Sequence, residues 1–325
     1  MVKDSKKLII EKAKKPGKKH EVIEDFKFKS DKKNQFVAFF KPEVFLDKEI
    51  NHIENIINLA FEKFKEYEVE VAGSAYFSGP SLAEFSIMDR HYGVINKLSK
   101  GASKELSRQE KEEVLKTLGI KDKNTKIMGG HEVYPLSGMN VSEFDEYWLS
   151  SPSTKIRSGF YVRHMEIKNE KIVVVNGFHP NQLAHYTSEN RSLILMLLNS
   201  NSSWETIRTE MLGETFPEKA KPTSIRGSLF NDPKKYGFKK VGIDNNVMHI
   251  SAGPTEALFE MHNFLNDPFR VDVIGSDAIL PSKLITEGIS PEEILNLINI
   301  KSIHDELEHK DTDYAVKFLK TKKKN

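Results

Sequence analysis

One histidine in this chain stands in a context suited to nucleophilic chemistry. His249 lies in the run NVMHIS at residues 246–251, and Glu260 follows it eleven residues later. A neutral imidazole is a competent nucleophile towards a γ-phosphoryl group, and a neighbouring carboxylate can hold the proton on its other ring nitrogen. If the chain turns after this run and a helix returns beside the strand, the two side chains meet. His249 and Glu260 are therefore candidate catalytic residues.

Phosphoryl transfer also needs positive charge and hydrogen-bond donors around the phosphate oxygens. Lys41 and Arg226 can supply the charge, and Thr215 and Asn246 are neutral donors to phosphate or ribose. The sequence contains neither a GxxxxGK[ST] phosphate loop nor a GxGxxG fingerprint. It also contains no cysteine, which excludes a disulfide framework, a thiolate zinc site and a cysteine nucleophile. Any phosphate chemistry must therefore use side chains other than those of a P-loop.

Four separated segments resemble motifs of the nucleoside diphosphate kinase family, in the same order. They are Lys41-Pro42 after a strand, MLGET at 211–215, KPTSIRG at 221–227, and NVMHIS at 246–251 with Glu260 beyond it. The family motifs are Lys-Pro-Asp, M-L-G-E-T-x-P followed by P-G-T-I-R-G, and N-x-x-H-G-S-D-S with a glutamate eleven residues past the histidine. The resemblance covers roughly residues 35–96 and 190–267.

The resemblance implies a phosphotransferase that moves the γ-phosphate of ATP to a nucleoside diphosphate through a phosphohistidine at His249. ATP is then the phosphoryl donor, nucleoside di- and triphosphates are the partners, and Mg²⁺ is held by the nucleotide phosphates, with no side-chain metal ligand. The implied catalytic residues are His249, Glu260 and Lys41. The implied nucleotide-binding residues are Lys41, Tyr92, Arg208, Thr215, Arg226, Asn246 and Ser251.

Several positions depart from the family pattern. Ile250 stands where the family has a glycine, and Ala252-Gly253 replace its Asp-Ser. Arg208 lies one residue out of register with the family arginine, and the family's base-stacking aromatic has no clear counterpart. A β-branched residue directly after the histidine could crowd a phosphohistidine or change the backbone angle. A second hypothesis is therefore a catalytically weakened nucleotide-binding or regulatory module of the same fold.

A third hypothesis rests on charge. The chain carries a net charge of only +2, but residues 1–33 hold twelve lysines and six acidic residues, and KFLKTKKK closes the chain at 317–324. Such basic ends could contact nucleic acid, although a lysine-rich end is more often a solvated, disordered terminus. A nucleic-acid-associated protein is therefore an alternative that the sequence does not favour.

Apolar periodicity predicts the elements that would position the candidate residues. Strands are predicted at 35–40, 69–77 and 247–250, a strand or buried segment at 191–198, and a hairpin at 159–167 and 171–178. Helices are predicted at 47–65 with Asp47 as N-cap, after Gly79, at 253–266, and from Ser290. Residues 211–230 carry Gly and Pro at turn spacing and are predicted to form a long ordered loop.

The resemblance to nucleoside diphosphate kinases implies an α+β fold: a ferredoxin-like βαββαβ antiparallel sheet with helices, a large insertion and terminal extensions. The predicted organisation of the 325 residues is a basic disordered arm at 1–34, a kinase-like domain at 35–267 interrupted by an insert at about 97–189, and an extension with a basic tail at 268–325. No apolar run approaches the ~20 residues of a membrane span. A cytoplasmic homo-oligomer is expected.

Overall fold

The computed structural model describes residues 2–46 and 48–322, and it is a mixed α+β structure. The predicted N-cap Asp47 lies outside the described residues. Two compact units divide the chain. Unit 1 falls within Met1–Phe85 and Glu189–Asn325, and unit 2 is Ser86–Ser188. The predicted insert at about 97–189 therefore corresponds to a unit that begins earlier, at Ser86, and the predicted C-terminal extension clusters with unit 1.

The strands and helices are numbered in chain order. The strands are β1 Glu21–Glu24, β2 Asn34–Phe40, β3 Glu70–Ser78, β4 Lys126–Gly129, β5 Thr154–Arg157, β6 Phe160–Ile167, β7 Glu170–Val175, β8 Ser192–Ser200 and β9 Met248–Ile250. The helices are α1 Val2–Lys14, α2 Ile50–Glu66, α3 Gly79–Glu84, α4 Ile87–His91, α5 Gly93–Glu105, α6 Arg108–Thr117, α7 Gly130–Ser137, α8 Val141–Leu149, α9 His179–Thr187, α10 Trp204–Thr206, α11 Ile225–Asn231, α12 Pro254–Phe269, α13 Ile279–Thr286, α14 Pro291–Leu297, α15 Lys301–Glu306 and α16 Thr312–Lys322.

Unit 1 contains a five-stranded sheet of order β1-β3-β8-β2-β9, in which every neighbouring pair is antiparallel. Strands β2 and β8 are buried along their whole length. Continuous apolar runs such as QFVAFF and SLILMLL are expected in strands that are covered on both faces. The strands predicted at 35–40, 69–77 and 247–250 are confirmed, with ends shifted by one or two residues, and the segment at 191–198 is strand β8.

Two amphipathic helices of unit 1 were also foreseen by the sequence. Helix α2 buries the stripe Ile53, Ile56, Ile57, Ala60 and Phe64, as the predicted helix at 47–65 requires. Helix α12 follows β9 after a short turn and packs on β2. The prediction of a loop over 211–230 is wrong at its end, because Ser224 caps helix α11 by accepting a hydrogen bond from the Gly227 amide.

The prediction of a disordered arm over residues 1–34 is wrong for the described residues. They contain helix α1 and strand β1, which pairs with β3 through Glu21 and Tyr76. Ile9 is fully buried, while Lys12 forms an ion pair with Glu21. An amphipathic helix can bury an apolar stripe and keep its lysine heads on the other face, so lysine content alone does not imply disorder.

The C-terminal segment is helical as well. Helix α14 begins after Ser290, which forms a capping box with Glu293, so the helix predicted from this serine is confirmed. The predicted basic tail is helix α16 as far as Lys322, and Leu319 within it is fully buried. Residues 323–325 lie outside the described part of the chain.

Unit 2 contains a four-stranded sheet of order β4-β7-β6-β5. The β4–β7 pair is parallel, and the β6–β7 pair is the predicted hairpin, confirmed with Ile167 opposite Glu170. One apolar core of this unit includes Leu98, Phe160, Val162, Val173 and Val175. None of the described helices combines the length and the apolar character needed to span a bilayer.

Candidate functional site

His249 occupies the middle of the short edge strand β9, opposite Phe39 of β2. Its ring stacks on the Phe39 ring, with centroids 4.6 Å apart and planes 20° apart. Met248 and Ile250 on either side are fully buried, whereas the His249 side chain is 19% exposed. Because side chains alternate along a strand, Ile250 points away from the face that carries His249. The β-branched residue after the histidine is thus accommodated as an ordinary core residue.

Glu260 meets His249 from helix α12, as the sequence predicts. Its Oε1 lies 2.6 Å from the Nε2 of His249, and the carboxylate is fully buried. An imidazole that donates Nε2–H to a carboxylate keeps its lone pair on Nδ1. The arrangement therefore favours Nδ1 as the nucleophilic nitrogen.

Ser251 lies beside this pair and contacts the Glu260 carboxylate. It is fully buried, and its hydroxyl donates to Glu260 Oε2 over 2.6 Å. The same hydroxyl oxygen accepts a hydrogen bond from the Val37 amide over 3.1 Å. The geometry therefore has Ser251 fix the Glu260 carboxylate, and its nucleotide-binding role remains a prediction.

The surroundings of His249 keep its ring neutral. Burial lowers the pKa of His249 to about 3, although the negative charge of the Glu256 carboxylate acts to raise it. The positive charges of Arg208, Lys41 and Arg226 lower this pKa further. At neutral pH the side chain is an uncharged imidazole, the form that can attack phosphorus.

Glu256 is a residue of the site that the motif comparison missed. It lies one helical turn before Glu260 on α12, and its carboxylate accepts a hydrogen bond from the Ala252 amide. Burial and then the neighbouring Glu260 charge raise the pKa of Glu256. The four-residue spacing of two glutamates on a predicted helix was the available sequence signal.

Lys41, Asn246 and Thr215 come together although they are far apart in the sequence. The Lys41 Nζ donates to Asn246 Oδ1 over 2.6 Å, and the Asn246 amide nitrogen donates to the Thr215 backbone carbonyl over 3.2 Å. Asn246 is nearly fully buried, whereas the Thr215 side chain is exposed. The predicted phosphate-handling residues just after β2, in the segment beyond α10 and just before β9 therefore form one cluster.

Val247, two residues before His249, has a positive φ of 58°. This backbone region is strained for a β-branched residue, and such strain persists only where neighbours impose it. Its carbonyl accepts from the Lys41 amide over 2.8 Å, and its amide donates to Glu43 Oε1 over 3.0 Å. Glu43, which stands where the family motif has an aspartate, thus helps to hold the backbone segment that precedes His249.

Arg208 reaches the site through an irregularity of the helix that carries it. Residues Ile207–Leu212 form a π-helix, in which the Gly213 amide donates to the Arg208 carbonyl five positions earlier. A π-turn takes up one more residue than an α-turn, so it can absorb a one-residue offset. The Arg208 Nη1 donates to the Ile250 carbonyl over 2.5 Å. Although Arg208 is one residue out of register with the arginine of the family motif, its side chain therefore still contacts the backbone next to His249.

Arg226 is 4% exposed on helix α11. Its Nη1 donates to the Gly213 carbonyl and its Nη2 to the Met248 carbonyl, both over 3.0 Å. Burial lowers the pKa of Arg226 to about 9, so the guanidinium remains charged at neutral pH. Gly213 has a φ of 92°, and a Cβ there would collide with the Ser224 hydroxyl, so the turn requires glycine.

Both arginines leave a donor unused. The Nε atoms of Arg208 and Arg226 are buried and have no hydrogen-bond partner within the described part of the chain. A buried donor without a partner costs free energy and calls for a physical explanation. An anion bound beside His249 would offer acceptors to such donors.

Tyr92 is the predicted nucleotide-binding residue that lies in unit 2. There it lies between α4 and α5, and its hydroxyl donates to the Tyr186 hydroxyl over 3.3 Å. Its role towards a nucleotide remains a prediction.

Comparisons with known proteins give little beyond this geometry. No family model matches the chain, and no curated protein matches it. A solved structure of an NDP kinase from Pyrobaculum aerophilum is similar with a TM-score of 0.35 and 15% sequence identity, covering 72% of this chain and 96% of that chain. A likeness of this strength establishes neither family nor function.

Proposed function

We propose that the protein is a phosphotransferase of the nucleoside diphosphate kinase type, with His249 as the residue that is phosphorylated. The observation that carries the proposal is the His249–Glu260 pair, 2.6 Å apart, with a fully buried carboxylate and with Lys41, Arg208 and Arg226 around it. Phosphoryl transfer to a histidine requires a neutral imidazole, a carboxylate that holds one ring nitrogen, and positive charge nearby. The site supplies all three, with three cations around the ring.

The reaction has two half-steps. The Nδ1 lone pair of His249 attacks the γ-phosphorus of ATP, the bond to the β–γ bridging oxygen breaks, and ADP leaves with that electron pair. The positive charge that develops on the ring is offset by Glu260, which holds the Nε2 proton. A terminal phosphate oxygen of a nucleoside diphosphate then attacks the phosphorus, the N–P bond breaks, and the imidazole is regenerated.

The cations act on the transferred group. Lys41 Nζ, held by Asn246, and the unused Nε donors of Arg208 and Arg226 are the groups proposed to meet the phosphate oxygens. Charge-assisted hydrogen bonds to phosphate are shorter and stronger than neutral ones. Mg²⁺ would enter as part of the nucleotide, bound by its phosphates, and would offset their charge.

The sheet of unit 1 supports the finer fold assignment. Within unit 1, strands β2, β3, β8 and β9 occur in this order along the chain, interrupted by unit 2 between β3 and β8. They lie in the sheet in the order β3-β8-β2-β9, with α2 between the first two in sequence. This is the strand order of a ferredoxin-like sheet, with β1 added at the β3 edge. Tyr92 as a nucleotide contact, assembly into a homo-oligomer and a cytoplasmic location are parts of the proposal that rest on the sequence resemblance alone.

The proposal is tested by incubating the full-length protein with γ-labelled ATP and Mg²⁺. We expect an acid-labile, base-stable phosphoprotein that a nucleoside diphosphate discharges with formation of labelled triphosphate. His249→Ala is expected to lose the label entirely, because the nucleophile is removed. His164→Ala, at an exposed histidine on β6, is the matched control and is expected to be labelled like the unmodified protein.

Two results would contradict the proposal. One is a label that survives in His249→Ala, and the other is the absence of any label from the unmodified protein. If the protein binds ATP in calorimetry but takes no label, the nucleotide-binding module without turnover becomes the better account.

A further inference from the structure

We propose that Trp204 and Asp311 are positioning residues for His249, and that the C-terminal segment after α15 helps to fix the orientation and tautomer of the His249 imidazole. The inference rests on the proposed function for its kinetic consequence. Its structural part concerns the nucleotide-free protein and can be tested separately.

Hydrogen bonds to the carbonyl and from the hydroxyl of Ser251 link Trp204 to the Glu260–His249 pair. The Trp204 indole Nε1–H donates to the Ser251 carbonyl over 3.0 Å. The hydroxyl of the same serine donates to Glu260 Oε2 over 2.6 Å, and Glu260 Oε1 lies 2.6 Å from His249 Nε2. Trp204 is 1% exposed, and Ser251 and Glu260 are fully buried. A displaced indole would therefore move the serine whose hydroxyl fixes the carboxylate.

Asp311 fixes the backbone of Trp204, at the end of this series of hydrogen bonds that lies away from His249. Its Oδ1 accepts from the Trp204 amide over 2.8 Å and from the Asn34 side-chain amide over 3.1 Å. The Asn34 Oδ1 in turn accepts from the amide and the hydroxyl of Thr312, each over 3.0 Å. Asn34 begins β2, the strand that pairs with β9. One carboxylate oxygen thus ties α10, β2 and the start of α16 together.

The C-terminal segment also touches the turn after His249 directly. The His309 amide donates to the Ala252 carbonyl over 2.8 Å. A Cβ at Gly253 would collide with the Leu307 carbonyl oxygen, a backbone atom that cannot swing aside. The turn at 251–253 is therefore held by the indole of Trp204 and by the backbone of residues 307–309. Glycine at position 253 is what allows the second contact.

These contacts assign a role to residues that do not touch the reacting atoms. Orientation of a catalytic group by its hydrogen-bonded neighbours commonly changes rates with little change in substrate affinity. Loss of the indole N–H leaves the buried Ser251 carbonyl without its donor, so the turn has to shift or admit water. The expected signature is a slower phosphorylation step at unchanged nucleotide affinity.

The main variant is Trp204→Phe, which removes the indole N–H and keeps an aromatic ring in the same pocket. We expect phosphoprotein formation about tenfold slower at saturating ATP, with the ATP dissociation constant unchanged. In the nucleotide-free protein, we expect the ¹⁵N signals of the His249 ring to change from a single Nε2–H tautomer to a mixture. Trp148→Phe in unit 2, at a similarly buried tryptophan, is the matched control and should change neither quantity.

A pair of variants at Asp311 provides the rescue experiment. Asp311→Asn keeps an oxygen acceptor at the position that receives both hydrogen bonds, whereas Asp311→Ala removes it. We expect the alanine variant to reproduce the tautomer mixture and the slower labelling, and the asparagine variant to behave as the unmodified protein. Circular dichroism and the Tm would establish that each variant is folded.

The two proposals fail in different ways. Folded Trp204→Phe and Asp311→Ala proteins with an unchanged His249 tautomer and an unchanged labelling rate would overturn the positioning role. An unmodified protein that takes no label from ATP would contradict the phosphotransferase proposal alone, and the tautomer of His249 would still decide the structural inference.

Discussion

At the scale of single residues, the proton on His249 decides what the site can do. The Nε2–H bond to Glu260 selects one tautomer, while burial and three cations oppose a second proton on the ring. A histidine with its ordinary pKa near 6.5 would be partly protonated, and so partly inert, in a mildly acidic solution. Here the imidazole remains neutral as the pH falls.

This leads to a prediction for the nucleotide-free protein. Ring ¹⁵N spectra recorded from about pH 8 to about pH 5 should show His249 neutral throughout, because its pKa lies well below its ordinary value. Since the unfolded chain would take up this proton near pH 6.5, the stability that the neutral ring contributes is present above that pH and is lost as the pH falls towards the folded-state value.

Two variants make the titration specific. His249→Gln identifies the signal among the eleven histidines. Glu256→Gln should leave His249 neutral over the same pH range, because loss of the Glu256 carboxylate removes a charge that favours the protonated ring. A His249 signal that titrates near pH 6.5 would show that the ring is solvated and that the cations do not act on it.

Most of the candidate site could be predicted residue by residue, because short motifs carry residue type and spacing together. His249, Glu260, Lys41 and Asn246 were all found in this way, and the structure brings them within hydrogen-bonding distance of one another in pairs. Ser251 was found too, but its hydrogen bond to Glu260 was not, since burial cannot be read from a motif. Glu256 lies outside the matched positions and was missed, whereas Glu43 stands at a matched position whose contact with the Val247 amide the motif did not indicate.

At the scale of secondary-structure elements, periodicity predicted those with one strong apolar pattern. The core strand β2 and the amphipathic helix α2 are the clearest cases. Helix α1 was missed because lysines dominate its composition, although Ile9 and Ser5 lie on a buried face. Composition measures how polar a segment is on average, whereas folding depends on whether one face can be covered.

The burial of α1 gives a stability prediction with a matched control in the next residue. Ile9→Ala should lower the free energy of unfolding by about 2–4 kcal/mol, because it removes a fully buried side chain. Leu8→Ala makes a similar chemical change at a side chain that is 38% exposed, and should cost less than about 1 kcal/mol. Urea denaturation of both variants measures the difference. Equal and small effects would mean that α1 does not pack on unit 1 in solution.

At the scale of the whole molecule, the contacts that assemble the site join distant parts of the chain. Lys41 bonds to Asn246, 205 positions away, and Asp311 bonds to Trp204, 107 positions away. The sequence contains no local signal for such pairings, which follow from sheet order and from the docking of the C-terminal helices. For the same reason the internal organisation of Ser86–Ser188 could be predicted only for its β6–β7 hairpin.

Charge at this scale weakens the nucleic-acid hypothesis. Several lysines of the two basic ends are engaged with acidic side chains, including Lys14 with Glu54 and Lys32 with Glu70. With a net charge of +2, the chain as a whole has little excess positive charge for a polyanion. The basic composition of residues 1–33 is better explained as the solvent-facing side of structure that belongs to unit 1.

The most direct test of the central claim is a ³¹P NMR spectrum of the full-length protein after reaction with ATP and Mg²⁺. The His249–Glu260 geometry predicts one phosphohistidine resonance, with the phosphorus on Nδ1 of His249, that disappears when a nucleoside diphosphate is added. Peptide mapping assigns the residue. Phosphorus on Nε2, on another side chain, or on no side chain at all would contradict the account of this site as one for phosphoryl transfer.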